Sequence, residues 1–203
     1  MMKQSLQCLF CVLFVLGMTL PVFGQTGVLP NIPDYFAVAF EQNGHLIPIT
    51  DHQVVLEKKS FSIVLYFKQP DSVLLNASFS ADSYNQARRG TPFGEIDGFA
   101  DLGMAEEPFN PKTLLMISDH APHYWYYDHA ANHRFNDVQS KNGIFICRRI
   151  VGQVMYRDTN REVVSIKNMS EDTLYLVFAH TQWTQNFQQQ IEQQREFVTV
   201  IFR

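Results

Sequence analysis

The strongest constraint on the fold is a repeated pattern of short β-branched and aromatic runs, each ended by a turn signal. The clearest run is Phe61-Ser62-Ile63-Val64-Leu65-Tyr66-Phe67. Others read as strands at Tyr35 to Gln42, His45 to Thr50, Val54 to Glu57, Val73 to Phe79, Thr113 to Ile117, Ile144 to Ile150, Gln153 to Tyr156, Glu162 to Ile166, Thr173 to Ala179 and Glu196 to Phe202. Asn43-Gly44 is a hairpin turn, and Lys167 to Asp172 is a polar turn. Helix is expected only at Gln185 to Gln194, where Phe187 and Ile191 sit four apart. The same stretch also reads as a polar hairpin arm. With no internal repeat and no interdomain linker, the expected fold is an all-β, single-domain β-sandwich, immunoglobulin-like or jelly-roll.

Strand alternation selects Phe61, Ile63, Leu65, Leu174, Leu176 and Phe178 as core-facing positions. The companion sets, Val64 with Tyr66 and Tyr175 with Val177, are also apolar. Both strands are therefore expected to be central and covered on both faces.

The N-terminus reads as a secretory signal peptide over residues 1–24. A short polar start carrying Lys3 precedes the apolar run Leu9 to Leu20, then Pro21 and a small residue, Gly24, before Gln25. The run is too short for a spanning helix, which needs about 20 apolar residues, so the mature chain is expected to carry no transmembrane segment. Removing 24 of 203 residues leaves 179, enough for one domain with its own core. The net charge of −4 becomes −5 on loss of Lys3. A mildly acidic chain with dispersed cations argues against nucleic-acid binding. Cys147 is the one cysteine outside the leader, so no internal disulfide is expected, and its strand-like surroundings predict a buried, inert thiol.

Residues 81–135 form a long excursion from the strand pattern. Its first part, 81–112, is rich in Gly, Pro and acidic residues and is expected to be mobile or ordered by a partner, with Phe93, Phe99 and Phe109 as pins to the domain. Its second part holds the densest polar cluster, Asp119-His120-Ala121-Pro122-His123, Asp128-His129 and His133. Neutral imidazoles bind zinc-like divalent ions, and carboxylates orient them from behind. His120, His123, His129 and His133 are thus the candidate metal ligands, with Asp119 and Asp128 beside them. The intervening Tyr124, Trp125 and Tyr127 are candidate ligand-binding residues, because exposed aromatic faces stack on sugars and partner side chains. Asn76 and Asn168 open glycosylation sequons.

No phosphate loop, nucleophile elbow, paired zinc cysteines or HExxH motif is present, and no catalytic residue is assigned. The favoured function is an exported, non-enzymatic binding module, secreted or periplasmic. Its partner would be another envelope or extracellular protein or a glycan, or it would form part of an envelope assembly. No cofactor is required by this reading. The alternatives are a metal-dependent hydrolase built on the His cluster and a carbohydrate-binding module built on the Tyr/Trp run.

Overall fold

The computed structural model describes residues 31, 32, 34–68, 72–92, 95, 96, 114–117, 122–126, 137–156, 162–186 and 188–203. Among the described residues the chain is mostly β-strand, consistent with an all-β fold, with one short α-helix and a 3-10 turn at Ile166–Asn168. The strands are β1 Phe36–Gln42, β2 His45–Ile47, β3 Gln53–Leu56, β4 Phe61–Phe67, β5 Ser72–Ser78, β6 Leu114–Ile117, β7 Pro122–Tyr126, β8 Asp137–Lys141, β9 Ile144–Val151, β10 Gln153–Tyr156, β11 Glu162–Ser165, β12 Thr173–Trp183 and β13 Gln190–Phe202. The helix, α1, is Ala81–Arg88.

Two five-stranded sheets run β2-β1-β4-β9-β8 and β3-β13-β12-β5-β7, and a three-stranded sheet runs β11-β10-β6. Pairing is antiparallel except for β13 with β3 and β10 with β6. One apolar cluster joins both large sheets: Phe36, Phe40, Ile63 and Leu65 from the first meet Leu75, Leu176, Phe178 and Val200 from the second. All six core positions expected on β4 and β12 are buried in it. Each of these strands is third in its sheet and is covered on its other face as well. Val64 and Tyr66 pack with Ile32, and Val177 packs with Tyr84, Ala87 and Ile96.

Turn chemistry sets the registers. Asn43-Gly44 and Asn142-Gly143 both have positive φ at each residue and close the β1–β2 and β8–β9 hairpins. Cys147 is buried in the shared core and forms no disulfide. Its neighbours separate as strand geometry dictates. Arg148 reaches Glu41 across β4 at 3.0 Å, whereas Arg149 is fully buried.

The helix α1 lies where none was expected. Residues 81–88 begin the excursion, yet Ser80 caps α1 by accepting from the Ser83 N–H at 3.2 Å, and Asp82 sits in the first turn. Gly90, at φ +88°, closes the other end: its N–H donates to Ala87 O and that of Thr91 to Gln86 O, a Schellman motif. Tyr84 and Ala87 are the buried contacts, against β12 and β13. Conversely, the helix expected over 185–194 is not formed. Gln190 to Gln194 belong to β13, paired with β12 from Trp183 to His180. Helix propensity is a weak prior that tertiary context overrides, and here the ladder with β12, the polar hairpin arm also read from this stretch, takes the backbone groups instead. The excursion also contributes β6 and β7; Phe93, Phe99 and Phe109 lie outside the described residues.

Candidate functional site

Of the four candidate metal ligands, the described residues include one. His123 lies in β7, in register with Leu75 of β5, and Tyr124 and Trp125 follow it opposite Leu74 and Val73. His120, His129, His133, Asp119, Asp128 and Tyr127 lie outside the described residues. Among the described residues, no three His, Cys, Asp or Glu side chains stand close enough to hold a metal ion. The two sequons separate clearly: Asn76 is buried in β5, whereas Asn168 is exposed.

The structure builds a different site, on residues the sequence reading did not single out. It lies where β1 of one large sheet approaches β13 of the other. The β12–β13 ladder shifts between His180 and Thr181: His180 pairs with Gln194 and Thr181 with Glu192, so Gln193 is an extra residue. Such a bulge bends a strand and re-aims its side chains. Here the result is a clamp on the start of β1. The Gln193 side-chain oxygen accepts from Tyr35 Oη at 3.2 Å. The Gln194 Oε1 accepts from the backbone N–H of Tyr35 at 3.0 Å and of Phe36 at 3.3 Å. The Gln194 Nε2 donates to Phe36 O and to Glu196 Oε1, both at 3.0 Å. The Tyr35 ring stacks on that of buried His180.

Beside this clamp lies a cleft of about 220 Å³, bordered by Phe36, Val38, Ile49, His52, Glu196 and Val198. Drug-sized ligands occupy pockets of about 300–1,000 Å³, so the cleft is small for such a ligand. Glu196 supplies its one carboxylate. A carboxylate among apolar side chains and strand backbone is suited to holding a donor or a cation.

The signals for this site were weak in the sequence. Gln193 and Gln194 belong to a glutamine-rich run with nothing to distinguish one from the next, and a bulge is a property of two paired strands. No helix among the described residues is long and apolar enough to cross a membrane. No family model matches the chain, and neither a curated protein nor a solved structure is significantly similar to it.

Proposed function

We propose that this chain is an exported, non-enzymatic β-sandwich that binds another envelope or extracellular protein or takes its place in an envelope assembly. The sandwich is the reading of two five-stranded sheets that share one apolar cluster. Export rests on the charge, apolar run and small-residue order of residues 1–24.

The observation that carries the binding role is the β12–β13 hairpin. Among the described residues the pairing of β12 with β5 ends at His180, whereas Thr181, Gln182 and Trp183 continue against β13 only. Among the described residues the hairpin thus extends past the rest of its sheet as a two-stranded arm. Its tip is fastened by Thr184 N–H to Gln189 O at 2.8 Å and by Asn186 Nδ2 to Gln188 Oε1 at 2.9 Å. Ile191 on the arm is 44% exposed. A two-stranded ribbon is marginal by itself in water, and an ordered one that carries an exposed apolar side chain suits contact with a second protein. β7, from the 81–135 stretch, forms the far edge of the same sheet and supplies a second surface for that role.

The test is site-specific photo-cross-linking from Gln182 in the producing cell, with the leader intact. A discrete cross-linked partner, lost in Ile191→Asp while circular dichroism is unchanged, is the expected result. The absence of any partner from positions on the arm and on β7 overturns the reading. N-terminal sequencing of exported protein is expected to begin near Gln25, and a retained Met1 overturns the export proposal.

A further inference from the structure

We propose that the cleft between β1 and β13 accepts an extended segment of another polypeptide as an added strand, apolar on the face it turns inward and carrying one lysine or arginine opposite Glu196. This rests on the binding-module reading and names a second, separate place where a partner would engage.

Three observations converge there. The first is an edge that stops short. β3 pairs with β13 only from Thr199 to Phe202. Asp51 and His52, at φ +51° and +59°, turn the preceding chain back so that Thr50 bridges Gln53. L-residues enter this left-handed region at a cost, and the consequence here is that β13 continues beyond the end of β3. Thr199 N–H donates to His52 O and Arg203 N–H to Leu56 O, so these residues turn their amides towards β3. By strand alternation Phe197 turns its N–H and C=O to the same side, into the cleft.

The second is the opposite wall. β2 pairs with β1 only from Phe40 to Gln42. Further back, Phe36 makes its hydrogen bonds to the Gln194 side chain, whose amide stands in for a neighbouring strand. Val38, two residues on, also lines the cleft, so this wall is apolar and its one polar clamp is already engaged by Gln194. The stretch of β13 that β3 leaves uncovered among the described residues is therefore the template for strand addition, and β1 is the wall its other side meets.

The third is the charge. Glu196 lines the cleft, accepts one hydrogen bond from Gln194 Nε2, and takes part in no ion pair among the described residues. No lysine or arginine lines the cleft. The apolar walls from Phe36, Val38, Ile49 and Val198 favour small branched side chains on the inward face of an added strand, and the carboxylate between them favours a cation on that same face.

The probe is a fluorescent nonapeptide, Ser-Thr-Val-Thr-Lys-Thr-Val-Thr-Ser, titrated against the full mature chain by anisotropy. It is compared with a version carrying Glu in place of Lys and with two versions N-methylated on alternate sets of amides. The Lys peptide is expected to bind about tenfold or more tightly than the Glu peptide, as opposite-charge complementarity requires. Glu196→Gln, which retains an acceptor for Gln194, is expected to remove most of that preference. N-methylation of one alternate set should abolish binding and that of the other should not, because alternate amides of an added strand face the sheet. The Phe197 amide should exchange more slowly with solvent when the peptide is bound. No binding by any peptide, equal tolerance of both methylated forms, or protection elsewhere overturns the proposal. A concentration-dependent dimer that protects Phe197 without peptide also overturns it, since the occupant would then be a second copy. Peptide failure with Ile191-dependent cross-linking intact removes strand addition alone, whereas loss of that cross-linking with peptide binding intact removes the arm's role alone.

Discussion

Tyr35 lies nearly flat on His180, the ring centroids 4.3 Å apart and the planes 14° from parallel. The contact joins the residue before β1 to the last residue of β12 that pairs with β5, and so links the two large sheets at one end of their shared core. Gln194 secures the same junction with three hydrogen bonds to Tyr35 and Phe36. Gln194→Ala is expected to destabilise the fold by about 1–3 kcal/mol, because partly buried backbone groups of Phe36 lose their partners. Tyr35→Phe should cost less, since it keeps the stack and loses only the bond to Gln193. Urea denaturation of both variants checks the order.

Arg149 is expected to be among the least replaceable residues. Its side chain is fully buried on the same strand as core residues Cys147 and Val151, and it is engaged by other groups. Removing one member of a buried charged network leaves its partners uncompensated. Arg149→Ala should destabilise by roughly 3 kcal/mol or more, through a cavity and the loss of those interactions. Arg149→Lys should recover little, because an ammonium cannot reproduce the planar fork. Thermal unfolding followed by circular dichroism reads both.

Asn76 predicts the opposite sign. It is 1% exposed, and among the described residues both polar atoms of its amide lack a hydrogen-bond partner. It lies in β5 opposite Val177, itself buried. Asn76→Leu, similar in shape and apolar, should stabilise by about 1–3 kcal/mol, the cost of an unmatched buried polar group. The measurement is the shift in denaturant midpoint at constant slope. An unchanged or lower midpoint refutes it.

Burial pushes the Tyr66 phenol above the ordinary tyrosine range, while Arg148 pulls it down more weakly and Glu41 adds to the rise. The folded chain therefore keeps this proton to a higher pH than the unfolded chain does. Below about pH 10, the ordinary tyrosine value, both states are protonated and stability does not depend on the group. As pH rises through that value towards the folded one, the unfolded state releases its proton first and stability falls. Tyr66→Phe should flatten this alkaline limb, as measured by denaturation at stepped pH. An unchanged limb would assign the loss to other groups.

The sequence by itself determined the β class, most strand positions and the two doubly covered strands. Those properties follow from alternation, from β-branched content and from turn residues such as Asn43-Gly44, all local to a few residues. The same signal at Asn142-Gly143 closes β8–β9, but β8, Asp137 to Lys141, carries a single aliphatic residue, Val138, and gives no strand pattern of its own. α1 is marked by its caps, Ser80 and Gly90, whereas the apolar face that fixes it is little more than Tyr84 and Ala87 and acquires meaning only against Val177 and Phe197. Tertiary structure alone decided that Gln190 to Gln194 are strand, that the bulge at His180 turns Gln193 and Gln194 onto β1, and that Glu196 faces a cleft between sheets. The physical reason is that a polar side chain has no intrinsic preferred partner. What Gln194 bonds to is fixed by which backbone groups the fold leaves without a strand beside them, and those groups lie more than 150 residues away along the chain.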